Sequence, residues 1–154
     1  MTIAADLLIF ARMDVLTAEQ RKKNMQANKS VGTKSEVLLA KALWHNGYRY
    51  LKNDKTILGK PDISFRKFKI AIFCDGEFWH GKDWINKKNK ITVNQTYWHR
   101  KIEKNIQRDI VINKSLTENG WIVVRLWDKE IKSNLSMCLK KIEQIILQRK
   151  NEKI

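Results

Sequence analysis

Apolar and polar positions along the chain alternate between a helical and a strand-like period. In "VLLAKALWHNG", Val37, Leu38, Ala40, Leu43 and Trp44 line one helical face, and Gly47 supplies a stop. Thr33-Lys-Ser-Glu36 ahead of it has the form of a capping box. So does Thr17-Ala-Glu-Gln20, which opens a short basic helix expected to run to about Ala27. "NKSVGT" breaks the pattern between the two. "YRYLKN" reads as a strand with little burial, and "TILGKP" as a turn. "DISFRKFKIAIFCD" reads as two strands around a tight basic turn at Arg66 and Lys67, the second strand more apolar and more central. From about Asn94 to Asn119 the period is helical, as one long helix or two, and Gly120 ends it. "WIVVRLW" is β-branched and aromatic, which predicts a buried strand. From Ser136 the chain is amphipathic at helical spacing, with Leu139, Ile142, Ile145 and Ile146 on one side. Helix, strands, helix, strand, helix predicts an α/β fold, a mixed central sheet flanked by helices.

Composition narrows this picture. A chain of 154 residues is expected to form one domain with a real core. With 43% hydrophobic and 31% charged residues, it reads as soluble and globular rather than disordered. No apolar run is long enough to span a bilayer, so no membrane partner is expected. The opening "MTIAADLLIFAR" carries Asp6 and lacks a basic leader and a small-residue cleavage site, so it is not expected to be a signal peptide. Residues 1–12 are expected to be an extension and residues 13–154 the domain, because Met13 begins a more conventional opening.

The formal charge is +15, from 31 Lys and Arg against 16 acids. Such an excess favours a polyanion, since basic groups on nucleic acid release condensed counterions. A merely basic soluble protein is the alternative. Cys74 and Cys138 are far apart and form no CxxC pair, which fits a reducing cytoplasm and neither a disulfide framework nor a zinc site.

Against this basic background the acids stand out. Asp62 follows "GKP", where Pro61 fixes the backbone and biases Lys60 to an extended form. Alone it is a strand-start acid in a turn. Asp75 and Glu77 close the next strand, and antiparallel pairing would bring Asp62 close to Cys74 and Asp75. Such a cluster is a candidate Mg²⁺ site, because Mg²⁺ takes one or two carboxylates together with waters and phosphate oxygens. Among the histidines, His45 sits near a helix end and His99 on a basic helix, where a surface position is expected. His80 follows two aromatics beside the acids, and an imidazole titrates where it can activate water at neutral pH. Glu36 is explained as the last member of its capping box, and Asp109 in "KNIQRD" as half of a surface ion pair.

Taken together, "RKKNMQAN", "TKSEVLLAKAL", "GKPDISF", "AIFCDGEFWHG", "YWHRKIEKNIQRD" and "NGWIVVRLW" resemble the very short patch repair (Vsr) family of DNA mismatch endonucleases. The resemblance runs in order from about Thr17 to Asp128; "GKPD" is weak alone and "FCDGEFWHG" is specific. It implies a PD-(D/E)XK-like (restriction-endonuclease-like) fold and Mg²⁺-dependent cleavage of one DNA strand, with two ions when substrate is bound. By the same resemblance Asp62 is the central metal ligand and the backbone carbonyl of Cys74 a second. His80 is the general base, Asp109 orients it, and Glu36 holds metal-bound water. Asp75 takes a supporting role. Phe78, Trp79 and Trp98 from one groove, and Met25 from the other, correspond to residues that wedge into the duplex beside the mismatch. Trp44, Trp84, Trp121 and Trp127 are left to the core or to general surface contacts.

Two departures matter. Well-known members hold a structural zinc around the "FWH" motif. Here Glu77 stands at the cysteine position and "GKDW" follows His80, so no zinc is expected and packing of Trp84 is its substitute. The Lys- and Asn-rich stretch from Lys87 to Thr96 does not align with the family. The expected partner is double-stranded DNA, mismatched at T:G, and the expected state a monomer in a bacterial cytoplasm, associated with the nucleoid. Mismatch-repair or methyltransferase partners are an expectation of the family alone. The alternatives are a restriction or defence nuclease acting on unmispaired or modified DNA, and a catalytically silent nucleic-acid-binding module. The intact set Asp62, His80 and Asp109 argues against the last.

Overall fold

The structure, a computed structural model, describes residues 17–27 and 31–152. The extension expected over residues 1–12 lies outside them. The helix α1 (Ala18–Ala27) is followed by α2 (Lys34–His45), β1 (Leu51–Lys52), β2 (Ile63–Phe65) and β3 (Ile70–Asp75). After these come a one-turn helix α3 (Trp84–Lys87), the long helix α4 (Gln95–Glu118), β4 (Ile122–Trp127), α5 (Asp128–Ser133) and α6 (Leu135–Glu152). The four strands form one mixed sheet in the order β1-β2-β3-β4. The first three pair antiparallel, joined across Arg66–Phe68 by a 3₁₀ turn, and β3 pairs parallel with β4. A parallel neighbour needs a long crossover, and α4 provides it.

The period-two alternation of β3 and β4 sends their side chains to opposite layers. Ile70, Ile72, Val124 and Leu126 pack with Leu39, Leu43, Ile131, Ile142 and Ile146 from α2, α5 and α6. Ala71 and Phe73, on the other face, pack with Ile112 and Leu116 of α4. Leu39, Leu43, Ile142 and Ile146 are essentially removed from water. Each such side chain contributes about 1.5–3 kcal/mol of burial. The sheet is therefore a three-layer sandwich in a single domain. Among the described residues no helix is long and apolar enough to cross a membrane.

One open alternative is resolved and several expectations are corrected. The stretch between Asn94 and Asn119 is a single helix, with Gly120 at φ +82° behind it as its stop. The strand expected over "YRYLKN" shrinks to Leu51–Lys52, because Tyr48 and Tyr50 turn their rings onto Phe65 at the core edge. In β4 only Val124 and Leu126 are buried; its other face is half-covered by α4. The helix α5, which follows β4 without a break, was not foreseen, and α6 begins one residue early at Leu135.

The start of β2 is held from outside the sheet. Asn53 N donates to Asp62 O, and the next residue anchors the loop. The Asp54 carboxylate accepts from Arg66 Nε and Nη2 (2.7 and 3.0 Å) and from Thr56. These hydrogen bonds, those of Arg66 first, hold its carboxyl well below the usual carboxylate range.

Candidate active site

Antiparallel pairing of β2 with β3 puts the start of one beside the end of the other, and the acids meet there. Asp62 Oδ2 accepts a 2.6 Å hydrogen bond from Cys74 N. Glu36 reaches the same place from the first turn of α2. Its backbone N donates to Thr33 Oγ1, but its carboxylate accepts from Gly32 N (2.7 Å) rather than from Thr33 N. The capping box is thus half formed, and the carboxylate also faces Asp62. Burial pushes the Asp62 carboxyl up, the Cys74 N–H opposes that, and the charges of Glu36 and Asp75 push it further, to about 7. Burial and the same acids also push the Cys74 thiol up, so it stays protonated.

The second part of the site lies on the α4 side of the sheet. His80 Nδ1 is 2.6 Å from Asp109 Oδ2, and His80 Nε2 is 3.7 Å from Asp75 Oδ1. Burial would raise the Asp109 carboxyl, but the hydrogen bond to His80 and the charges of Arg125, His80 and Arg108 bring it below its ordinary value. An ionised carboxylate only accepts, so Nδ1 carries the proton and Nε2 is the basic nitrogen. Asp75, His80 and Asp109 offer ligand-type atoms within 4.8 Å of one another.

A tight turn carries His80 to this position. His80 N donates to Gly76 O and Lys82 N to Glu77 O. Asn105 Nδ2 on α4 donates to Trp79 O (3.0 Å), and Glu77 Oε1 accepts from Lys129 N (2.8 Å) in the first turn of α5. Gly81 has φ +66°, and a Cβ there would run into Ile106 of α4. Only glycine lets the turn lie this close to the helix.

The aromatics form one cluster. Phe78, Trp79 and Trp98 meet edge-on, with ring centroids 5.4–5.7 Å apart. Phe78 and Trp79 are half-buried, whereas Trp98 is only 7% exposed and lies beneath them. Lys101 stands over the Trp79 ring at 6.0 Å. Met25 lies in α1, and its side chain is outside the described residues.

The donors around the turn do not fit a structural zinc. Glu77 is engaged with α5, and Cys138 is buried in the core. His99 is half-buried rather than on the surface: it bonds Lys88 O (2.7 Å) and meets the Trp84 ring edge-on. Trp84 Nε1 in turn donates to Glu103 on α4, tying the far end of the turn to that helix.

The sequence reading missed Arg125, Asn105 and Asn113. Arg125 faces α4 from β4, its guanidinium over the Phe73 ring at 4.2 Å. Its one available signal is a charge in the middle of the apolar run "WIVVRLW". Asn105, Asp109 and Asn113 recur every four residues along α4, a helical face turned to the sheet.

The family model for the DNA mismatch endonuclease Vsr matches residues 13–87. The chain is 52% identical, over 87% of its length and 90% of the relative's, to the type II nicking enzyme V.NmeDIP of Neisseria meningitidis serogroup C. It is 51% identical to the type II nicking enzyme V.HpaIIP of Haemophilus parainfluenzae, covering 89% of this chain and 98% of that protein. The DNA mismatch endonuclease Vsr of Escherichia coli is 33% identical, over 75% of this chain and 73% of that one.

Proposed function

The chain belongs to the Vsr family and is a DNA endonuclease, and from that premise we propose that it nicks one strand of a duplex beside a T:G mismatch, using Mg²⁺. The single observation that carries the reading is the pairing of His80 with Asp109 beside the buried acids Glu36 and Asp75 and the half-buried Asp62.

The residues fit a divalent cation on the Asp62 side. Asp62 and Glu36 are pressed together at the end of β2 and β3, and their repulsion is what a cation relieves. Asp62 and the Cys74 carbonyl would hold the ion, with Glu36 holding water at it. When bound, Mg²⁺ supplies Lewis-acid polarisation of the phosphate and stabilisation of the leaving oxygen.

The proton is handled by the protein's own groups. Asp109 accepts from Nδ1–H of His80 and so fixes both tautomer and ring orientation. Nε2 then takes the proton of the attacking water as its oxygen bonds to phosphorus and the bond from phosphorus to the leaving sugar oxygen breaks, that oxygen taking a proton from solvent. Asp75 stabilises the resulting imidazolium from the Nε2 side. Phe78 and Trp79, braced from below by Trp98, enter the duplex beside the mispair, and Met25 enters from the other groove. Unstacking costs a few kcal/mol and least at a mismatch, so the wedge itself discriminates.

A second reading has its own support. The two relatives at 51% and 52% identity are named type II nicking enzymes, and that vocabulary belongs to restriction systems. The mismatch cut would then be one left by deamination within a restriction-associated methylation site, or the target would be paired DNA.

The test is cleavage of end-labelled duplexes with Mg²⁺, comparing paired DNA with each single mismatch in several sequence contexts. A single nick beside T:G, lost in His80→Ala, is the expected result. Equal cutting of fully paired DNA would replace it with the restriction reading. Binding without any cutting would sink both.

A further inference from the structure

His80 stands between two carboxylates, and one cation touches both. Arg125 Nη1 donates to both oxygens of Asp75, at 3.2 and 3.0 Å. Its Nη2 is 3.6 Å from Asp109 Oδ1, the oxygen that His80 does not use. Its Nε donates to Asn113 Oδ1 at 2.8 Å. The guanidinium lies over Phe73, so its plane is fixed as well. Asp75 is only 3% exposed, and a buried carboxylate without a cation is costly.

We propose that Arg125 is the positioning residue that fixes Asp75 and Asp109 on either side of His80 and so sets the direction of the Nε2 lone pair. This rests on the reading of His80 as the base. Arg125 draws the Asp75 carboxylate toward β4, leaving it 3.7 Å from Nε2 rather than in a short hydrogen bond with it. The approach to Nε2 is thereby left to water. At the same time it steadies Asp109 from the side opposite the imidazole. Nη2 is buried and makes no hydrogen bond at 3.6 Å, so the grip on Asp109 is electrostatic, with room to close as His80 becomes charged. The planar fork is essential. A lysine at 125 keeps the charge but cannot reach Asp75, Asp109 and Asn113 at once. The same contacts give the proton-handling group of Asp75, His80 and Asp109 a counter-charge of its own.

The test compares wild type, His80→Ala, Arg125→Lys and Arg125→Ala in single-turnover and steady-state nicking of the same duplex, with binding and melting measured alongside. Arg125→Lys is expected to fold, to keep KM and DNA affinity within about twofold, and to lose about 10- to 100-fold in kcat, the size of a small misplacement of reacting groups. Guanidinium at low millimolar concentration is expected to restore part of kcat in Arg125→Ala and to leave wild type unchanged, which a merely structural role would not produce. If Arg125→Ala does not fold, the kcat and KM of Arg125→Lys decide. Wild-type kcat in folded Arg125→Lys overturns the proposal. So does a rise in KM with kcat intact, which would make Arg125 a DNA contact. So does a loss that disappears below the variant's melting range. Should His80→Ala nick like wild type, the base reading fails and this proposal with it; if only the Arg125 variants behave like wild type, the base reading stands.

Discussion

Asp62, half-buried at the start of β2, and Asp75, buried at the end of β3, lie close together, yet their surroundings differ in sign. Asp75 has Arg125 against both oxygens. Asp62 has the Cys74 N–H and, among its strongest influences, the negative charges of Glu36 and Asp75. Burial first, and those charges after it, raise its carboxyl to about 7, which means that folding favours the protonated form. Between the unfolded carboxylate value near 4 and about 7, the folded state holds the extra proton, so this group's contribution to stability falls as pH rises through that window. A divalent cation bound to the ionised form would offset the loss. The metal-bound protein should therefore melt higher than the metal-free one, with the rise larger at pH 8 than at pH 5. Asp62→Asn should melt at or above the metal-free wild type and show almost no Mg²⁺ response. Thermal melts across Mg²⁺ concentration at both pH values check this. A full Mg²⁺ response in Asp62→Asn would remove Asp62 from the metal site.

At the scale of elements, the site depends on how closely the turn after β3 lies against α4. Asn105, Asp109 and Asn113 are spaced at helical intervals, and each contacts a different partner: Trp79 O, His80 and Arg125. Gly81 sets the distance, since its positive φ and missing Cβ let the turn approach Ile106 and Ile102. Gly81→Ala adds a Cβ where none fits and forces a left-handed backbone on alanine. It is expected to cost about 1–3 kcal/mol of stability. It should also move His80 relative to Asp109, so that nicking falls further than stability alone explains. Chemical denaturation paired with kcat at a temperature where the variant stays folded would show this. Unchanged kcat in a destabilised variant would mean that the turn tolerates displacement.

For the whole molecule, the charge of +15 understates how basic the surface is. Glu36, Asp54 and Asp75 are buried, so part of the negative charge lies inside, while none of the described lysines is buried. DNA affinity should fall steeply with salt, by about 0.9 in log K per log unit of salt for each phosphate contacted. Lys101, which stands over the Trp79 ring, is expected to make one such contact. Lys101→Ala should weaken binding to all duplexes alike and lower the salt slope by about one. Anisotropy titrations at several salt concentrations measure it. An unchanged slope would place Lys101 off the DNA path.

The sequence by itself determined the elements with strong local signals. Apolar spacing gave α2, α4 and α6, glycine gave the ends of α2 and α4, and β-branched runs gave β3 and β4, because these depend on neighbours three or four residues away or on alternation along one strand. It also pointed to Asp62 beside Cys74, since antiparallel pairing of consecutive strands leaves few other placements. Asp109 read locally as a surface ion pair, and only the resemblance to a family tied it to His80. What the tertiary structure alone decided is the partnership of groups far apart in the chain. Arg125 looks like an interruption of a strand until the parallel pairing of β3 with β4 sets it over Phe73 and beside Asp75. His99 looks exposed until Trp84 folds onto it, and Trp98 reads as a third wedge residue until it is found buried against Phe78 and Trp79. Local pattern fixes which face of an element is apolar. Which polar group meets another across elements is set by register and crossover, and those exist only once the chain has packed.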